Sequence, residues 1–133
     1  MQVLLILCLA FDLAAVMLEP NLERRSERAL DNASAAMDSA RDASSDEGKL
    51  KGSLEELRNS VDVAYQSLVE AGKSARRNPK FFKRAELKTR ELMRRLEGLA
   101  QAVDADDRTL VDSVRERVSK VHDNLIQDIM QKK

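Results

Sequence analysis

His122 is the only histidine in the chain, and it stands beside Asp123. An imidazole titrates near neutral pH, so this is where general-base chemistry would be sought first. A base alone catalyses little. The sequence supplies no second His, no Gly-rich phosphate loop and no Cys or Ser nucleophile in a sharp turn. His122 therefore reads as a helix-surface or core-edge residue, no catalytic residue is assigned, and the chain is expected not to be an enzyme. The acids Asp104, Asp106 and Asp107 invite a calcium reading, because oxygen ligands at alternating positions build such loops. The Gly that turns a calcium loop and the bidentate Glu that closes it are both missing, so these residues are assigned to capping the last helix. No metal ligand set and no cofactor is expected. Asn32-Ala33-Ser34 matches a glycosylation acceptor, but it falls inside a helical pattern and is set aside.

The chemistry that remains is electrostatic. Between residues 73 and 95 the chain holds ten bases against two acids, a net +8, although Lys plus Arg and Asp plus Glu both number 23 over the whole sequence. Arg76, Arg77, Lys80, Lys83, Arg84, Lys88, Arg90, Arg94 and Arg95 are the candidate anion- or partner-binding residues. Such a surface could face an acidic protein, anionic lipid head groups or nucleic acid. The competing reading is a solvated helix face whose long basic stems cover apolar neighbours while their heads stay in water. Nucleic acid is disfavoured, because Phe81 and Phe82 lie at the apolar stripe and not on the basic face where bases could stack. Leu87 sits in the middle of that basic face.

These residues must be carried by helices. Gly and Pro are scarce and aromatics make up 3% of the chain, while Ala, Leu, Glu, Arg and Lys abound, and no stretch alternates with the period of a strand. Asn78-Pro79 is a helix start signal, after which Phe82, Ala85, Thr89, Leu92, Leu96, Leu99 and Val103 recur at spacings of three and four. Before it, Ser53-Leu54-Glu55-Glu56 has the form of a capping box, and Leu54, Leu57, Val61, Ala64, Tyr65, Leu68 and Val69 continue as an apolar stripe to a helix end at Gly72. Tyr65 is expected at the core edge with its hydroxyl at the boundary. A last helix from about Asp107 to Met130 carries Leu110, Val114, Val118, Val121, Leu125 and Ile129. The first helical pattern follows Pro20; its apolar face is narrow and Ala-rich, so it is expected to be the least stable element. SSDEGKLKGS, residues 44–53, reads as the flexible connection after it. No repeat of fixed period is visible. The expected fold is all-α, a small antiparallel helical bundle of three to four helices after an N-terminal hydrophobic leader.

Residues 1–18 form that leader, and 19–133 a single domain. The run Val3 to Phe11 has the length of a signal-peptide core, and Leu13-Ala14-Ala15 is the best available cleavage pattern. No Lys or Arg precedes the run, and Asp12 interrupts it. Cys8, the only cysteine, lies inside it, so no intramolecular disulfide is possible. Export to the periplasm or cell envelope is the expectation. The alternative is a retained membrane anchor with a cytoplasmic domain that oligomerises through leftover apolar surface; Arg24, Arg25 and Arg28 would favour that orientation.

The run RRNPKFFKRAELKTRELMRRLEGL, followed after a short acidic turn by VHDNLIQDIM, resembles an uncharacterised family of small exported bacterial helical proteins. The resemblance covers the chain from about Glu19 onward. It implies export and a helical domain of about this length, and it implies no activity.

Overall fold

The computed structural model describes residues 12–43, 45–72 and 79–130. Among them are five helices and no strand: α1 (Leu13–Met17), α2 (Leu22–Asp42), α3 (Glu47–Glu70), α4 (Pro79–Ala102) and α5 (Ala105–Met130). They pack into one helical bundle around a shared apolar core.

α2 follows Pro20 as expected, and Asn21 caps it, the side-chain oxygen accepting from the Arg24 amide at 2.9 Å. Ala29, Ala33, Ala36 and Ala40 are fully buried, and with no long side chain between them α2 lies close along α3. Polar groups on the same faces then find partners across the gap. Ser26 Oγ donates to the Ala64 carbonyl at 2.8 Å, Asn32 Nδ2 to Ser60 Oγ at 2.9 Å, and Ser53 Oγ to Ser39 Oγ at 2.9 Å. Each pairing satisfies a group whose burial would otherwise be costly. The α3 partner falls from 64 to 60 to 53 as the α2 number rises from 26 to 32 to 39.

One expected boundary moves. α3 begins at Glu47, with Asp46 as its cap accepting from the Lys49 amide at 3.2 Å, so most of the stretch read as a connection is helical. Ser53 and Glu56 do not form a capping box; both sit inside the helix and face its neighbours. The physical reason is Leu50. It is fully buried together with Leu54, and that burial outweighs the roughly 1 kcal/mol that Gly52 costs a helix interior. At the far end the sequence reading holds, because Gly72 adopts φ of 70°, a left-handed conformation that favours glycine.

α4 begins at Pro79 as expected; its expected cap, Asn78, lies outside the described residues. The predicted stripe is buried, and Thr89 reaches the core with its hydroxyl donating to the carbonyls of Ala85 and Glu86. In α5 the buried line runs Val111, Val114, Val118, Val121, Leu125, with Leu110 half-buried beside it. Asp106 and Asp107 occupy the first turn, where negative charge suits the helix dipole. Arg108 Nε donates to the Ala100 carbonyl at 2.9 Å, placing a cation on the last turn of α4.

The two helix pairs α2–α3 and α4–α5 share a pattern of buried positions. The buried positions Leu54, Leu57, Val61, Ala64 and Leu68 of α3 recur 57 residues on as Val111, Val114, Val118, Val121 and Leu125. Ser26, Ala29, Leu30, Ala33, Ala36 and Ala40 of α2 recur 56 residues on as Phe82, Ala85, Glu86, Thr89, Leu92 and Leu96, all buried. Like helices lie alongside one another, since Glu27 meets Arg84 and Asp38 meets Arg95, both pairs 57 residues apart. The repeat escapes a reading of residue identity because only the pattern of burial is repeated; Ala and Ser stand where the second pair has Leu and Phe.

α1 lies within the segment assigned to the leader. Asp12, which interrupts the apolar run, is its cap, accepting from the Ala15 amide. The Asp12 amide donates to Asn32 Oδ1 at 2.7 Å, the Leu13 amide donates to Glu56 Oε2 at 2.9 Å, and Val16 is only 4% exposed. α1 thus covers the α2–α3 pair. The glycosylation match set aside at Asn32 is closed too, because Asn32 is 8% exposed and hydrogen-bonded within this cluster.

Candidate functional site

An α-helix turns about 100° per residue, so the bases of α4 divide among three directions. Arg84 and Arg95 point toward α2, where Arg84 pairs with Glu27 and Arg95 with Asp38. Arg90 turns toward α5 and makes a two-pronged bond to Glu86, Nε to Oε2 at 3.0 Å and a terminal nitrogen to Oε1 at 2.9 Å. These three candidates are therefore engaged by acids of the same chain. The acids that neutralise them were not singled out by the sequence. Glu27 and Asp38 are eleven residues apart, as are Arg84 and Arg95, and that equal spacing was the available signal; only the side-by-side placement of α2 and α4 turns it into contact.

Lys80, Lys83 and Arg94 project away from the core, with Leu87 among them at 57% exposure. Lys80 lies over the Phe81 ring at 5.5 Å. Among the described residues no acid pairs with Lys83, Lys88 or Arg94. Arg76 and Arg77 lie outside the described residues. The basic surface that remains available is thus smaller than the sequence implied: Lys80, Lys83 and Arg94 around Leu87, with Lys88 half-buried one turn on from Arg84.

Glu86 is the residue that the sequence placed wrongly. Counted there as one of two acids diluting the basic helix, it is 8% exposed at the α4–α5 contact, and His122 Nε2 lies 2.8 Å from its Oε2. Burial alone would raise its pKa; hydrogen bonds from His122 and Arg90, helped by their charge, outweigh that and hold the carboxyl below its ordinary value. His122 is at the core edge, as its sequence position suggests, but its partner is Glu86 and not the adjacent Asp123. The arrangement joins two helices by a carboxylate shared between a base and a cation. Tyr65 makes a similar link, its hydroxyl donating to Asp128 Oδ2 at 3.0 Å; burial, the bond to Asp128 and the charge of that carboxylate push its pKa up to about 12.

Among the described residues no group of three or more His, Cys, Asp or Glu is placed to hold a metal ion, and no helix there is long and apolar enough to cross a membrane. No protein-family model matches the chain, and no match is found among curated proteins or solved structures.

Proposed function

We propose that this protein is a non-catalytic binding protein of the cell envelope, which meets an acidic partner or anionic surface through Lys80, Lys83, Lys88 and Arg94. The observation that carries this reading is the division of charge on α4. Arg84, Arg90 and Arg95 have acids of the chain, whereas Lys83 and Arg94 are exposed with no acid partner among the described residues and flank an exposed Leu87. The supporting scaffold is an antiparallel bundle of two helix pairs; the descending order of α3 partners along α2 argues for that direction.

Binding to heparin and to phosphatidylglycerol vesicles tests the reading. The double variant Lys83→Gln/Arg94→Gln is expected to keep its helical signal and lose roughly 2 kcal/mol of vesicle binding, about thirty-fold, with the wild-type affinity falling steeply as salt is raised. Arg84→Gln/Arg95→Gln is the control and should bind nearly as wild type. Binding that ignores both salt and the Lys83/Arg94 change would end this reading.

Export is part of the proposal and makes a separate prediction. The contacts of α1 favour any cleavage falling before Asp12, since a cut after Ala15 would remove the amides that Asn32 and Glu56 accept. The mass of the chain recovered from periplasmic, membrane and cytoplasmic fractions reads this directly. An exported chain that begins at or just before Asp12 is the expected result, and a full-length chain held in the membrane fraction would favour a retained anchor.

A further inference from the structure

The contact between the two helix pairs has a consistent polarity. Among the described residues the ion pairs seen to cross it, Glu27 with Arg84, Asp38 with Arg95 and Asp62 with Arg117, place the acid on the first pair and the arginine on the second. Two of the acids are three helical turns apart on α2, and their arginines are three turns apart on α4. The α4–α5 pair then presents another face, on the side away from α2–α3. The 56-residue shift that carries the core of α2 onto α4 carries Glu27 onto Lys83 and Asp38 onto Arg94. The 57-residue shift that carries α3 onto α5 carries Asp62 onto Ser119 and Tyr65 onto His122. Two of the three acid positions by which the first pair holds its neighbour are thus matched on the second pair by the exposed bases Lys83 and Arg94, and the third by Ser119. Leu87, 57% exposed, lies between Lys83 and Arg94, and α5 contributes the half-buried Ile126 and the exposed Met130. The opposite end of the stack is already closed, by α1 lying on α2–α3.

We infer that this outer face docks an acidic amphipathic helix of a partner protein, laid along α4 with two carboxylates about 16 Å apart on Lys83 and Arg94 and an apolar side chain over Leu87. The inference rests on the anion-binding reading above and names its partner class. The occupant is argued from the charge and from the interface already present. α2 is such a helix on the other flank of α4, and its Glu27 and Asp38 show the spacing of acids that arginines three turns apart accept. A second copy of this chain is a poor occupant in a face-to-face mode, because Lys83 and Arg94 would oppose their own kind. A lipid surface would use the same two bases but would place no demand on their spacing.

The test uses the full chain and a labelled synthetic amphipathic helix of about 24 residues, the length of α4, with glutamates eleven residues apart flanking a leucine. A second peptide moves one glutamate to a spacing of nine, which takes it off the line, and a third carries lysines in place of the glutamates. The expected result is binding of the first peptide that weakens by at least about tenfold for the second, and by a similar factor in Lys83→Glu/Arg94→Glu. The lysine peptide should recover binding to that charge-reversed variant. Circular dichroism of the variant should match wild type, since both residues are exposed and make no ion pair within the described residues. Phosphatidylglycerol vesicles and heparin are run beside the peptides. Binding to vesicles or heparin through Lys83 and Arg94 with no preference between the first two peptides would overturn the acidic-helix inference while leaving the anion-binding reading in place. Loss of all three interactions would end both. Peptide binding that is unchanged in the charge-reversed variant, or self-association in sedimentation that the variant abolishes, would also overturn it.

Discussion

Replacing Leu96 by alanine is expected to remove about 3 kcal/mol of stability, read as a lowered midpoint of urea unfolding with an unchanged slope. Leu96 is fully buried, so truncation loses both the transfer energy of the side chain and the contacts around the space it leaves. Its counterpart 56 residues earlier, Ala40, is equally buried but demands the opposite. Ala40→Leu is expected to cost about 2 kcal/mol by forcing α2 away from α3, since a core position filled by alanine between close helices has no room for three further carbons. The pair of variants separates two packings with the same pattern of burial. If Ala40→Leu were neutral or stabilising, α2 would be the loosely held element that its narrow Ala-rich face suggests; a clear loss would show that α2 is held by close approach.

The second large effect belongs to Glu86. Glu86→Gln is expected to cost about 1 to 2 kcal/mol at neutral pH, because His122 and Arg90 lose a charged acceptor in a setting where Glu86 is nearly free of solvent. Arg90 is largely exposed, so most of that cost lies with the His122 contact. The pH dependence follows from the direction of the Glu86 shift. Its carboxyl titrates lower in the folded chain than in the unfolded one, so the unfolded state takes up its proton first as pH falls. The contribution is fully present above the ordinary carboxyl range and is lost as the solution is acidified from about pH 5 toward the lower folded value. Unfolding midpoints measured from pH 7 to pH 3 should therefore fall less in Glu86→Gln than in wild type. Parallel curves would mean that Glu86 titrates alike in both states and is not held by its two partners.

The sequence was informative wherever a property is local. Hydrophobic spacing located α2, α4 and α5 and placed Tyr65 and His122 at the core edge, because a helical stripe is set by neighbours three and four residues away. Pro79 marked a helix start and Gly72 a helix end for reasons confined to a single turn. The same locality explains the misplaced start of α3: Ser53 and Glu56 satisfy a capping pattern, yet Leu50 one turn earlier had a core to enter, which no local rule reports. The charge of the basic helix was also legible, but its use was not. Whether an arginine binds a partner or an acid of its own chain depends on which helix lies beside it, and that depends on register between segments 57 residues apart.

By itself, then, the sequence determined an all-helical chain, the approximate helices and a local excess of positive charge. Only the tertiary structure decided that Arg84, Arg90 and Arg95 are satisfied internally while Lys83 and Arg94 have no acid partner among the described residues, that Glu86 is buried against His122, and that the two helix pairs share a pattern of burial. The reason is physical: period and capping are fixed by bonds and contacts within a turn, whereas pairing across helices is fixed by where the apolar stripes settle, and many residue identities can make the same stripe.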